Sequence, residues 1–438
     1  MMLQRLAMQD LLTWKQTKTQ QALMIMGARQ VGKTTLVRSF AKGRYDTFAE
    51  LNFLGNTQAV QTLKAATNAD DLLLRISALT GKTLSPGRTL LFLDEIQECK
   101  DLLTWTKFLT ERMDIDIILS GSLLGLDAYV QARSLPVGFL RKLTLYSLTF
   151  EEFARACDVS EDVWQAMENA LLAHEKVPDF IHDKLSSLFR TYLLVGGMPD
   201  AVQAFVSLSQ LTPVRGIQND IVDLYESDIV KYVADVAEAR QIKMVYESIP
   251  AQLNTPAKRF KYARLGKNLR FANLETAFDW LTSAGIALEA TKVGQVSYPL
   301  GLSEDRSAFK FFLNDIGLLT SRIMGAVDLD VINGKTSINY GSLFEAVVAQ
   351  ELVARGFTPH YYSSKKRGEV DFVIENSLGR TRAIEVKSGK DYRRHSALTA
   401  LLASGETDDA VVLHDGNLEL EKDRLYLPIY AAHLVMDV

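Results

Sequence analysis

An apolar run, Ala22-Leu23-Met24-Ile25-Met26, breaks into Gly27-Ala28-Arg29-Gln30-Val31-Gly32-Lys33-Thr34 and resumes as Thr35, Leu36, Val37, Phe40 and Ala41 at helical spacing. A buried strand, a glycine-bearing turn and an amphipathic helix must therefore follow one another without a spacer. The glycines let successive backbone N–H groups point into one concavity that suits phosphate oxygens, and the helix brings its positive end to the same place. The octet fits GxxxxGK[ST] at every position. Lys33 is then placed to reach the β and γ phosphates of ATP, and the Thr34 hydroxyl to ligate Mg2+. Gly27, Ala28, Arg29, Gln30, Val31, Gly32, Lys33, Thr34 and Thr35 are the expected nucleotide contacts.

Further apolar runs at Leu90–Leu93, Ile115–Leu119 and Leu143–Leu145, with a helical pattern over Leu102–Met113, predict an α/β domain with a parallel sheet and crossover helices. Leu90-Leu91-Phe92-Leu93 delivers Asp94 and Glu95 at a strand's carboxyl end. Asp94 can hold the magnesium through water, and Glu95 can orient and activate the attacking water as catalytic base, with Lys33 stabilising charge. Ile117-Ile118-Leu119 ends in Ser120-Gly121-Ser122. Ligands of open parallel sheets sit beyond such ends, so Ser120 or Ser122 either contacts the γ-phosphate region or simply makes a turn.

The chain has 438 residues, too many for one ordinary core, with 47% hydrophobic and 23% charged residues and no biased tract. A net charge of -4 gives no whole-molecule attraction to nucleic acid or membrane. The two cysteines, Cys99 and Cys157, form no metal or disulfide pattern. The six histidines lack HxxxH or HExxH spacing, and the four tryptophans sit at helical, core-like spacings. No apolar run approaches the ~18 residues of a membrane span, so a cytoplasmic protein without a membrane partner is expected. Four regions are read: an ATPase core over 1–155, a helical lid over 156–240, a winged-helix-like region with linker over 241–333, and an α/β domain over 334–438, with Gly334 in the linker.

In the third region Lys258, Arg259, Lys261, Arg264, Lys267 and Arg270 occur without an acid and interleave with Phe260, Tyr262, Leu265 and Phe271. Asn273 is expected to cap a helix through Leu274, Ala277, Phe278, Leu281 and Ala284. Strands over Ala287–Val293 and Val296–Pro299, around Gly294, would make the wing. The basic face either neutralises DNA phosphates or is a solvated face of a packing module.

In the fourth region Gly368–Ile374 and Arg382–Lys387 read as a hairpin turning through Asn376–Gly379, which lets Asp371 approach Glu385. Glu385 and Lys387 share a face because side chains alternate along a strand. Glu345 lies on the preceding helix with Leu343, Val347, Val348 and Leu352. Glu345, Asp371 and Glu385 are the expected oxygen ligands for Mg2+ or Mn2+, and Lys387 the partner for a metal-bound water or a developing phosphate charge.

Read together, the motifs resemble known families. The order of Gly27–Thr35, Leu93-Asp94-Glu95-Ile96-Gln97, Ser120-Gly121-Ser122, Leu145–Phe153 and Gly196-Gly197-Met198-Pro199 is similar to a prokaryotic group of AAA-type ATPases with a C-terminal domain of unknown function. Gly197-Met198-Pro199 resembles the Gly-x-Pro element of STAND-like NTPases. Arg133 and Arg141 lie where an arginine finger is sought, but each reads equally as a surface charge. The strand bearing Glu385-Val386-Lys387 resembles the PD-(D/E)xK nuclease superfamily, which implies a restriction-endonuclease-like fold with Asp371, Glu385 and Lys387 as catalytic residues; Val370 stands where the name has proline. Two functions follow: an ATPase coupled to a DNA-binding or DNA-cleaving nuclease-like domain, or a STAND-like switch whose C-terminal domain binds nucleic acid or a partner without cleavage. Assembly with a second copy or a protein partner is open under both.

Overall fold

The computed structural model describes residues 3–18, 21–99, 101–122, 139–255, 258–324, 340–389, 392–407, 409–421 and 424–438. Arg133, Gly334 and Lys390 lie outside them. Two compact units form: Gln4–Tyr146 together with Ser283–Gly285, and Ser147–Thr282 together with Ile286–Val438.

The first unit holds strands β1 (Ala22–Gly27), β2 (Thr47–Asn52), β3 (Thr89–Asp94), β4 (Asp116–Ser122) and β5 (Leu140–Thr144). They form one wholly parallel sheet in the order β2-β3-β4-β1-β5. Every residue of β1 and β3 is buried, as the unbroken apolar runs require for a sheet covered on both faces. Helices Lys33–Ala41, Ala69–Thr80 and Leu102–Met113 lie between the strands in sequence, and Leu72, Ile76, Leu102 and Leu103 join Leu91, Leu93 and Leu119 in a common core. Because β4 lies between β1 and β3, the strand ending near Ser120 separates the strand entering the glycine turn from the one ending at Asp94.

The second unit begins earlier than the expected end of the ATPase core at 155. Helix Phe150–Ala156, started by a Thr149–Glu152 capping box, packs Phe150 and Phe153 on Tyr192, with ring centroids 5.7 and 5.2 Å away. Helices Glu161–Leu172, Asp179–Val195, Pro199–Leu208, Leu211–Tyr232 and Val236–Leu253 follow, the predominantly helical stretch that the pattern predicts. Trp14 in the first unit and Trp164 in the second are fully buried, in keeping with core roles.

The remaining strands are β6 (Ala287–Val293), β7 (Glu304–Leu313), β8 (His360–Ser364), β9 (Gly368–Glu375), β10 (Thr381–Val386), β11 (Ala410–His414), β12 (Glu419–Glu421) and β13 (Arg424–Pro428). All eight share one mixed sheet in the order β12-β13-β11-β10-β9-β8-β6-β7. Two expectations are corrected here. The partner of β6 is not Val296–Pro299 but β7, which starts at Glu304. The hairpin is also no free wing, since β6 pairs in parallel with β8 and extends the C-terminal sheet across the expected boundary at 333/334. Ala308, Phe309, Phe311, Phe312 and Leu313 of β7 are all buried, apolar surface that a hairpin standing alone would leave in water.

Candidate functional site

The glycine turn is built by close approach. A Cβ on Gly27, whose φ is +156°, would lie 2.2 Å from the Leu145 carbonyl oxygen, so only glycine lets β1 turn here. Gly32 opens helix Lys33–Ala41 from the left-handed region at φ +92° and offers it no side-chain cap, which leaves that role to an anion. Arg5 donates to the Val31 carbonyl at 2.8 Å and holds the turn from outside.

Lys33 is almost fully buried, and its Nζ donates to the Gly27 and Ala28 carbonyls at 3.0 and 2.8 Å. Burial pulls its pKa down to about 8 despite the nearby Glu95 and Asp94 carboxylates. Thr34 Oγ1 donates to Asp94 Oδ2 at 2.8 Å. The same carboxylate accepts from Ser120 Oγ through its other oxygen, and from Asn52 Nδ2 at 3.0 Å. Hydroxyl and carboxylate oxygens at the carboxyl ends of parallel strands suit a small hard cation, so Thr34 and Asp94 fit magnesium. Ser120 thus faces Asp94. Glu95 carries a left-handed backbone, φ +57°, uncommon for a side-chain-bearing residue and frequent where a group is held for use; Gln97 Nε2 donates to its carboxylate. Asn52 escaped the sequence reading; its signal was an amide at the end of β2, in register with Asp94 on β3. Arg141 sits exposed on β5.

The second constellation forms on β9, β10 and helix Tyr340–Ala354, with an unexpected centre. Lys310 of β7 is completely buried, and its Nζ lies 2.9 Å from Glu369 Oε1, 3.1 Å from Glu345 Oε2 and 3.3 Å from Asp371 Oδ1. Lys258 Nζ binds the other Glu345 oxygen. Asp371 Oδ2 accepts the Val386 N–H at 2.9 Å, which brings Asp371 against the Glu385 strand as expected. Glu385 Oε1 accepts from Lys387 Nζ at 2.6 Å, and Glu385 Oε2 is buried with no hydrogen-bond partner among the described residues. Burial by itself lowers the Lys310 pKa, but Glu345, Asp371 and Glu369 hold it well above the ordinary value. Burial, reinforced by Asp371, raises Glu385 to about 8. Against its own burial, Asp371 is kept below its ordinary value by Lys310 and Lys258.

Glu345, Asp371 and Glu385 do come to one region, but both Glu345 oxygens and one of Asp371 are engaged by ammonium groups. Among the described residues no group of three or more His, Cys, Asp or Glu is arranged to hold a metal ion. Lys310 was missed in the sequence; its signal was a single cation inside the apolar strand Ala308-Phe309-Lys310-Phe311-Phe312.

The basic segment is also redistributed. Lys258 is spent on Glu345, while Arg259, Lys261, Arg264, Lys267 and Arg270 are at least partly exposed. Phe260 turns inward, against Phe278 at 4.9 Å and Phe309 at 5.9 Å between centroids, so it is core. Asn273 does not cap the helix at Glu275; its side chain accepts the Arg270 N–H at 3.0 Å. In the same unit Gly197 N–H donates to Asp315 at 2.7 Å, and Pro199 starts helix Pro199–Leu208.

Against known families, residues 19–154 match the one described as an AAA domain. The first unit carries an AAA-type P-loop domain. Residues 186–326 and 340–432 match two domains of unknown function, DUF8612 and DUF4143. No curated protein matches the chain. Among solved structures, the Walker-type ATPase PABY2304 of Pyrococcus abyssi is 14% identical at a TM-score of 0.42, over 73% of this chain and 95% of that one. The ORC2 protein of Aeropyrum pernix in its ADP form is 16% identical at 0.28, over 76% and 93%. The ORC1 protein of Aeropyrum pernix in complex with DNA is 14% identical at 0.28, over 72% and 89%. Among the described residues no helix is long and apolar enough to cross a membrane.

Proposed function

We propose that the first unit binds and hydrolyses ATP with magnesium, and that the second is a nuclease-like, nucleic-acid-contacting module under its control. The observation that carries the first half is the 2.8 Å contact between Thr34 Oγ1 and Asp94 Oδ2, made across two strands at the mouth of the glycine turn. Magnesium, when bound there, supplies charge neutralisation for the β and γ phosphates. Thr34 and Asp94 would be the residues that hold it. Lys33 exchanges the Gly27 and Ala28 carbonyls for phosphate oxygens, which returns its ammonium to a favourable partner. Glu95 takes the proton of the water that attacks the γ-phosphorus as the bond to the ADP oxygen breaks. Lys33→Ala should abolish tight ATP binding, whereas Glu95→Gln should bind ATP and slow phosphate release by roughly 10²-fold or more. Full turnover by Glu95→Gln would remove the assigned base.

Nucleic-acid contact is supported by the five cations between Arg259 and Arg270 that reach the surface, in a segment without an acid. DNA is the proposed ligand and the cytoplasm the proposed location. A second reading, cleavage, is favoured by one observation, the 2.6 Å Lys387–Glu385 pair beside Asp371. Magnesium- or manganese-dependent nicking of plasmid or branched DNA, lost in Asp371→Ala and Lys387→Ala, would establish it.

A further inference from the structure

The carboxylate cluster of the second unit already contains a cation. Lys310 comes from β7, which stands at one end of the sheet order beside β6, yet the side chain is completely buried. Its register is set by the ladder, Ala290 opposite Lys310, and Phe309 and Phe311 beside it are buried among aromatic rings. The Tyr361 and Phe372 rings lie 5.3 and 5.8 Å from the ammonium.

Of the six carboxylate oxygens of Glu345, Asp371 and Glu385, five are engaged, and Glu385 Oε2 is left without a partner among the described residues. Glu345 gives one oxygen to Lys258 and one to Lys310; Asp371 gives one to Lys310 and one to the Val386 N–H. Magnesium demands oxygens at about 2.0–2.1 Å in octahedral array, and the Lys310 nitrogen stands where one oxygen each of Glu345, Glu369 and Asp371 converges. Charge points the same way. Glu345, Glu369, Asp371 and Glu385 carry at most four negative charges, and Lys258, Lys310 and Lys387 three positive ones, so at most one unit remains for an incoming ion. A dication would have to displace a buried lysine from the carboxylates that compensate its charge.

We propose that Lys310 is the resident cation of this centre, an internal ammonium that stands in the place of a divalent metal; this sets the cleavage reading aside and leaves the nuclease-like unit to contact its ligand without metal-dependent cleavage. What the lysine replaces rests on the nuclease-like reading of β9 and β10, whereas the ion cluster itself does not. The consequence is a site that is fixed at synthesis rather than by metal supply. Lys387, paired with Glu385 but part-exposed at the edge of the cluster, is the cation placed to meet an anionic ligand.

Manganese binding to the nucleotide-free full-length protein, followed by electron paramagnetic resonance, tests this. Wild type and Asp371→Asn should bind manganese equally. A manganese ion held by wild type and lost in Asp371→Asn would overturn the proposal, as would manganese-dependent DNA nicking lost in the same variant. Lys310→Met keeps an unbranched side chain one atom shorter and removes the ammonium group with its charge. It should gain a manganese site about tenfold or more tighter than any in wild type, abolished when Asp371→Asn is added. A folded Lys310→Met protein that gains no manganese would also overturn it. Should that variant fail to fold, the comparison of wild type with Asp371→Asn still decides. Neither arm uses ATP, so an inactive nucleotide site would leave the result standing.

Discussion

Removing the Asp315 carboxylate should unfasten the glycine pair that precedes Pro199. Asp315 is completely buried and accepts three backbone N–H groups: Gly197 at 2.7 Å, Gly317 at 2.9 Å and Leu318 at 3.1 Å. Asp315→Ala leaves all three donors without that acceptor in a site closed to water. At about 1–3 kcal/mol for each buried unsatisfied group, and with less than full additivity among neighbours, the loss should be about 3–6 kcal/mol. Asp315→Asn keeps one acceptor oxygen for Gly317 and Leu318 but turns an amide donor toward Gly197, so about 1–3 kcal/mol is expected. Urea unfolding followed by far-ultraviolet circular dichroism gives the midpoint shift, with the slope unchanged if only stability moves. Hydrogen exchange supplies the specific readout, because the Gly197, Gly317 and Leu318 amides should lose protection together. A loss below about 1 kcal/mol in Asp315→Ala, or unaltered protection of those amides, would refute the reasoning. Gly197→Ala attacks the same join from the other side, since its Cβ would lie 2.0 Å from the Leu148 carbonyl oxygen.

Glu351 is raised from its ordinary 4.5 to about 7, chiefly by burial, although the Phe150 N–H donates to it at 2.7 Å. A carboxyl whose folded pKa is raised contributes stability below its unfolded value and loses it as pH climbs through about 7. Glu351→Gln keeps an acceptor for Phe150, so it should exceed wild type by up to about 3 kcal/mol at pH 8 and lose that advantage below pH 5, read as melting temperature against pH. Replacing Arg264, Lys267 and Arg270 together by alanine should weaken DNA binding, measured by fluorescence anisotropy. The slope of log affinity against log salt should fall by about 0.7–0.9 for each phosphate that is no longer neutralised. An unchanged slope would make that face a solvated one. Thr34→Ala should leave the protein folded but without magnesium-stimulated ATP turnover, since it removes the hydroxyl and only one methyl group from a half-buried side chain; normal stimulation would exclude Thr34 as a ligand.

Local chemistry, by itself, determined the first unit. Gly27 to Thr34 and the strand ending at Asp94 each carry their meaning in consecutive residues, because strand, turn and helix follow from periodicity and from glycine at the closest approach. The hairpin bearing Asp371, Glu385 and Lys387 was legible for the same reason, being joined by one short turn. Only the tertiary structure decided what those side chains meet. Asn52 and Ser120 reach Asp94 because β2 and β4 flank β3, an order that no single segment encodes. Lys310 lies 61 residues from Asp371 and 35 from Glu345, and it reaches both only because an apolar hairpin found more buried surface against β8 than alone in solvent. A buried ammonium must have carboxylates around it. Which carboxylates surround it is a property of the folded sheet.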